Sequence, residues 1–299
     1  MPAFVPRGTM TALITPFVDD AARTVDLPAL RAIVEQQIAG GIDVLVACGT
    51  TGETVTLSHD EWALVVRTVV EAAAGRVPVM AGTGSNDTSK TVELTKEAAD
   101  LGADAALVVT PYYNRPSQAG LLAHYTAVAD ASTLPIVLYN VPPRTGCNLL
   151  PATTAILAQH ANIVALKEAA GSMEQIQELQ RLTGFSLPIL SGEDALCVPT
   201  YAIGGAGVIS VVSNCAPAHT AALYRDFAAG RTEQAGRNQV ALLPLIKALF
   251  SEPNPQPVKM AMHLLGLCSP VARLPLLTAS DDTKAVLQRE LAALGLVAS

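Results

Sequence analysis

Eight short, unbroken apolar runs, each followed by a stretch of helical periodicity, constrain this chain more than any other feature of its sequence. They are Thr11 to Ile14, Val44 to Ala47, Val77 to Ala81, Ala105 to Val109, Ile136 to Tyr139, Ile163 to Leu166, Leu187 to Leu190 and Val208 to Val212. Strands with one wet face alternate apolar and polar residues. Continuous runs belong to strands buried on both faces, as in a parallel sheet covered by helices. The intervals carry helix signals: Ser58 with Glu61 and Ser172 with Gln175 have capping-box spacing. Pro151 suits a first helical turn, and Gly40, Gly75 and Gly184 suit helix ends. Eight such units ending near residue 230 predict one (β/α)8 TIM barrel over 1–230. The rival architecture, a doubly wound open sheet, usually has a Gly-x-Gly-x-x-Gly turn after its first strand, and none is present. After Gly230 the strand signal stops. Thr232 to Phe250, Pro257 to Leu267 and Asp281 to Leu294 read as a C-terminal three-helix appendage over 231–299.

Composition removes several function classes. Half the residues are hydrophobic, yet no apolar run approaches the roughly 18 to 20 residues of a spanning helix. The segment from Met1 to Met10 lacks the apolar stretch of a secretion signal. A soluble, cytoplasmic protein is expected, with no membrane partner. The net charge of −7, from 19 basic and 26 acidic residues, is spread thinly, so no basic face for nucleic acid is expected. Five separated cysteines in apolar segments (Cys48, Cys147, Cys197, Cys215, Cys268) read as reduced thiols. The histidines are isolated too, and no metal site is expected.

In a barrel, reactive groups gather where strands end. Those ends carry Gly49-Thr50-Thr51-Gly52-Glu53, Thr110-Pro111-Tyr112-Tyr113-Asn114, Tyr139-Asn140, Lys167-Glu168, Ser191-Gly192-Glu193 and Ile209-Ser210. Of six lysines, five read as lying where the ammonium reaches water. Lys167 instead closes an apolar run and should project into the barrel mouth. An ammonium is costly to desolvate there, and an amine relieved of its proton attacks carbonyls. The alternative is a structural ion pair with Glu168 or another carboxylate, although adjacent strand residues face opposite ways. Tyr139, Tyr112 and Tyr113 could move protons or simply pack. The Gly49 to Gly52 turn could cradle a carboxylate or a phosphate, or be an ordinary turn. Arg144, in Pro142-Pro143-Arg144-Thr145-Gly146, sits on a proline-stiffened loop and could clamp a second carboxylate or point to water.

Together these segments resemble the dihydrodipicolinate synthase and N-acetylneuraminate lyase family nearly end to end. Ala12-Leu13-Ile14-Thr15-Pro16-Phe17, Gly49 to Glu53, Ala81-Gly82-Thr83-Gly84, Pro111 to Asn114, Tyr139-Asn140-Val141-Pro142, Leu166-Lys167-Glu168, Ser191 to Asp194 and Glu252-Pro253-Asn254-Pro255 carry the likeness. The resemblance implies that Lys167 forms a Schiff base with pyruvate and that Tyr139 is the acid/base beside the imine. It implies that Thr50 and Tyr113 complete a proton relay, Tyr113 reaching in from a neighbouring subunit. Thr51 would hold the pyruvate carboxylate, with Gly192 and Ile209 lining the site. Arg144 points to the synthases, where it would bind the carboxylate of aspartate 4-semialdehyde. The implied reaction is aldol condensation of these two substrates and ring closure, toward diaminopimelate and lysine. No cofactor is implied, and the implied assembly is a homotetramer, a dimer of dimers. The competing readings are a pyruvate aldolase for a sugar acid or other keto acid, and a non-catalytic barrel with a binding or assembly role.

Three positions depart from the pattern. Ala170 and Pro143 replace residues common in the family without removing a reactive group. Lys90 stands where lysine-sensitive members place an acidic residue that binds the inhibitor's amino group. His59, Asn86 and Tyr112 could still contribute to such a pocket, but weak or absent inhibition by lysine is expected.

Overall fold

The computed structural model describes residue 4 and residues 6–298. Eight parallel strands close into a barrel in sequence order, with β1 pairing both β2 and β8. The strands are β1 Gly8–Ala12, β2 Val44–Ala47, β3 Val79–Gly82, β4 Ala105–Val109, β5 Ile136–Asn140, β6 Ile163–Glu168, β7 Ile189–Ser191 and β8 Gly207–Ser210. Around them run α1 Leu27–Ala39, α2 His59–Ala73, α3 Thr88–Asp100, α4 Gln118–Ala131, α5 Pro142–Thr145 and α6 Pro151–Leu157. The outer layer continues with α7 Met173–Thr183, α8 Cys197–Ala202 and α9 Pro217–Ala228. The C-terminal helices are α10 Thr232–Leu249, α11 Gln256–Leu264 and α12 Asp281–Ala293. The expected barrel and three-helix tail are therefore both present. The expectation of no secretion signal from Met1 to Met10 falls partly on residues outside those described.

Strand alternation divides the core into two apolar layers. Met10, Val46, Met80, Leu107, Val137, Tyr139, Ala165, Leu190 and Ile209 fill the barrel. Their neighbours Leu45, Ala81, Val108, Leu138, Leu166 and Val208 pack outward with the helices. Most strands fall on the apolar runs, and the exceptions have physical causes. β1 starts at Gly8, earlier than expected, because Thr9 and Thr11 occupy outward positions and interrupt the apolar signal. Both are fully buried, the Thr11 hydroxyl at 2.7 Å from Gln37 Oε1. β8 stops at Ser210, because the Asp194 carboxylate accepts from the N–H groups of Val211 (3.0 Å) and Val212 (3.3 Å) and turns the chain away.

A register shift in β6 bears directly on the site. Ile136 pairs with Ile163, but Val137 pairs with Ala165, so Val164 is an extra residue. This bulge lets Ile163 pack in the outer layer while Ala165 and Lys167 take inward positions.

The helix starts follow the sequence. Ser58 and Glu61 form a complete capping box on α2. Ser172 caps α7 by accepting from Gln175 N, but the Gln175 side chain donates to Glu168 (3.0 Å) instead of returning to the cap. The expected loop at Pro142 to Gly146 is instead the short helix α5, which the two prolines initiate and Gly146 ends in a left-handed conformation.

Candidate active site

Lys167 lies in the last turn of pleat of β6, between Tyr139 of β5 and Leu190 of β7. It is 6% exposed, and its Nζ sits 4.1 Å from the centroid of the Tyr139 ring. Among the described residues it forms no salt bridge. The ion-pair alternative with Glu168 is excluded by the pleat. Glu168 faces outward, where its carboxylate accepts from Asn140 Nδ2 (3.1 Å), Gln175 Nε2 (3.0 Å) and Ala170 N (2.8 Å). Burial pushes the Glu168 carboxyl above the usual range, and those hydrogen bonds partly oppose it.

Gly192 explains how the long lysine stem fits. A Cβ there would lie 2.6 Å from Ala169 Cβ and 3.2 Å from Lys167 Cε. Its N–H is held at 2.7 Å from the Glu168 carbonyl, so the backbone passes close against the lysine.

The turn after β2 brings two hydroxyls to the same mouth. Gly52 N donates to Gly49 O (3.0 Å), Glu53 N donates to Thr50 O (3.1 Å), and the Thr15 hydroxyl donates to Gly52 O (2.7 Å). Cys48 and Glu53 bracket the turn in left-handed conformations. The Thr50 and Thr51 N–H groups find no protein acceptor among the described residues, leaving donors for an anion. Thr51 is 3% exposed, and its hydroxyl accepts from Asn254 Nδ2 at 3.0 Å.

Lys167, Tyr139, Thr50, Thr51, Arg144 and Gly192 line one cavity of about 50 Å³. It adjoins a wider cleft of about 250 Å³ walled by Thr50, Val109, Tyr112 and Arg144. Ile209 belongs to the apolar layer that contains Tyr139 and Leu190. Ile209 does not line either cavity, and Tyr113 stands apart from both. Tyr113 is 89% exposed, with φ of 73°, on the loop following β4.

Three residues at or behind the mouth were given no role by the sequence reading, although Glu193 stood among its strand ends. Glu193 lines the Lys167 cavity; burial raises its carboxyl first, Asp194 adds to this, and Lys167 and Arg144 oppose it. Asn254 reaches the cavity from the tail, and its only advance signal was its place in Glu252-Pro253-Asn254-Pro255. Lys259 corrects an expectation: it is 0% exposed rather than in reach of water. Its ammonium pairs with Glu53, donates to Val271 O at 3.0 Å and lies 3.9 Å from the Phe17 centroid. Among the described residues, no group of three or more His, Cys, Asp or Glu is placed to hold a metal ion.

Fold and site together define a (β/α)8 barrel with a buried lysine amine near the end of its sixth strand. The particular family follows from comparison. The sequence model of the Dihydrodipicolinate synthetase family matches residues 5–294, and the chain belongs to that family. A 4-hydroxy-tetrahydrodipicolinate synthase of Citrifermentans bemidjiense is 52% identical over 270 residues, 90% of this chain and 92% of its own length. A second, of Geotalea uraniireducens, is 49% identical over 291 residues, 97% of this chain and 99% of its own. The solved structure of a chloride-inhibited dihydrodipicolinate synthase from Acinetobacter baumannii, complexed with pyruvate, superposes with a TM-score of 0.95. It is 40% identical and covers 97% of this chain and 99% of its own. Among the described residues, no helix is long and apolar enough to cross a membrane.

Proposed function

We propose that this chain is a lyase that condenses pyruvate with aspartate 4-semialdehyde to give 4-hydroxy-tetrahydrodipicolinate, in the route to diaminopimelate and lysine. The observation that carries the reading is the Lys167 amine, buried over the Tyr139 ring in a cavity shared with Thr50, Thr51 and Arg144. The Lys167 amine attacks the ketone carbon of pyruvate to give a carbinolamine. Loss of water then leaves the imine. Tyr139, with Thr50 and a Tyr113 from a second subunit, carries the protons. Loss of a methyl proton converts the imine to an enamine, whose carbon attacks the aldehyde of the second substrate. The amino group of that substrate then displaces Lys167 from the imine carbon and closes the ring. One water is released overall, and no cofactor enters.

Thr51 and the free N–H groups beside it hold the pyruvate carboxylate, while Gly192 and Ile209 shape the wall. Arg144 holds the second carboxylate in a bidentate pair. The strain and exposure of Tyr113 support its use in trans, and with it a dimer of dimers. We place the enzyme in the cytoplasm, with five unbridged cysteines as support.

NADPH oxidation with both substrates and excess dihydrodipicolinate reductase tests the reading. Oxidation should require both substrates and vanish in Lys167→Ala. An intact enzyme that gives no signal overturns the synthase assignment. Borohydride trapping of pyruvate on Lys167 would then mark an aldolase for another acceptor.

A further inference from the structure

The turn that carries Thr50 and Thr51 is closed by two backbone hydrogen bonds of its own, and it is also held from outside. Its far side is gripped by the C-terminal region. Glu53, the last residue of the turn, is buried against Lys259 of α11, and Glu53 Oε2 accepts from Arg273 N at 2.9 Å. Asn254, just before α11, reaches across 203 residues of sequence to the Thr51 hydroxyl. It is 6% exposed and lines the Lys167 cavity. Prolines flank it on both sides, and Gln256 N donates to Pro253 O at 2.9 Å, so its backbone is fixed.

A hydroxyl has one proton and two lone pairs. Asn254 Nδ2 occupies a lone pair of Thr51 Oγ1, and among the described residues that oxygen has no other protein partner. The hydroxyl proton is therefore left to point at whatever fills the cavity. Asn254 Oδ1 is itself buried without a partner, which leaves no protein acceptor on the amide competing for that proton at the observed geometry. We propose that Asn254 is a positioning residue: its amide holds the Thr51 hydroxyl as a donor toward the carboxylate of the keto-acid substrate. The helical tail thereby sets the affinity of the first substrate without touching the reacting carbon. This rests on the reading that Thr51 binds that carboxylate.

Steady-state kinetics of the full-length enzyme test it, with Asn254→Ala, Asn254→Asp, Thr51→Val and the double variant Asn254→Ala/Thr51→Val. Asn254→Ala should raise KM for pyruvate about tenfold, the effect of misaligning one hydrogen bond to a charged group. Its kcat and its KM for the aldehyde should stay within about threefold of the intact enzyme. Asn254→Asp keeps the shape of the side chain, so it tests the idea even if the alanine variant folds poorly. Its carboxylate takes the Thr51 proton and faces the substrate anion, so its KM should exceed that of Asn254→Ala. The double variant should match Thr51→Val alone, because Asn254 acts through that hydroxyl. Multiplying effects in the double variant, or a loss in kcat with KM unchanged, would overturn the proposal. A raised KM in Thr51→Val with normal KM in both Asn254 variants would overturn it while sparing the role of Thr51. A normal KM in Thr51→Val would overturn both and leave Lys167 untouched.

Discussion

Replacing Lys259 with methionine isolates the buried ion pair behind the active-site turn. Lys259 is fully enclosed and Glu53 is nearly so. Methionine is close to lysine in length and apolar, so little cavity opens and the cost is mainly electrostatic. Removing one partner of a buried pair typically costs about 3–5 kcal/mol, because the remaining charge stays desolvated. Here Glu53 keeps the Arg273 N–H, with the Arg273 guanidinium fixed by Glu61 close by, so the lower end applies. A loss of about 3 kcal/mol is expected, or roughly 5 °C in Tm for a chain of 299 residues. Urea unfolding followed by circular dichroism would measure it, with unchanged slope as the check that unfolding remains comparable. Adding Glu53→Gln removes the stranded charge and should recover at least half of the loss. A loss below about 1 kcal/mol, or no recovery in the double variant, would refute the buried-charge argument.

Three further outcomes follow from the geometry. Burial holds the His124 imidazole down to about 4, with Asp87 opposing; a free histidine titrates near about 6.5. The unfolded chain therefore binds a proton that the folded one refuses between those values, and stability should fall as pH drops through that window. His124→Asn should flatten that part of a urea-midpoint profile; an unchanged slope would count against it. Gly192→Ala forces a Cβ into the 2.6 Å gap at Ala169 and against Lys167 Cε, so kcat should fall about 100-fold in the coupled assay. Near-normal turnover would mean the lysine need not lie where it does. Lys90 shares a cavity of about 170 Å³ with His59 and Tyr112, whereas Asn86 is absent from its lining. Lysine should inhibit weakly or not at all and should gain potency against Lys90→Glu; submillimolar inhibition of the intact enzyme would contradict this.

The barrel was legible because parallel strands buried on both faces leave unbroken apolar runs, and eight of them leave few alternatives. The meeting of Lys167 and Tyr139 at one cavity was legible because position along a strand decides which way a side chain points, and the two pair directly across β5 and β6. What the sequence hid depends on partners far away in the chain. Nothing local distinguishes Lys259 from a solvated helix lysine. Its burial comes from Glu53, Phe17 and Val271, which the fold alone assembles. The bulge at Val164 was hidden as well, since an extra valine in an apolar run looks like continued strand. Yet that residue lets the outward Ile163 and the inward Lys167 belong to one strand.

The long-range contacts run from the C-terminal region to the mouth of the barrel. Gln239 of α10 donates to Asp194 O (3.0 Å), Lys259 of α11 pairs with Glu53, and Arg273 pairs with Glu61 at the start of α2. Asp194 in turn fixes the end of β8, and Glu53 fixes the turn that carries Thr50 and Thr51. We therefore propose that residues 1–230 and 231–299 divide by architecture rather than by independence. Strand ends can supply reactive groups, but loops that follow strands are exposed and held by few partners. Charges buried beneath such a loop fix it at one geometry, since moving it would strand an unpaired charge away from water. The tail thus gives the turn after β2 the rigidity that a strand gives Lys167, and the proposed reaction requires both, since an amine and an anion cradle must meet the same small acid.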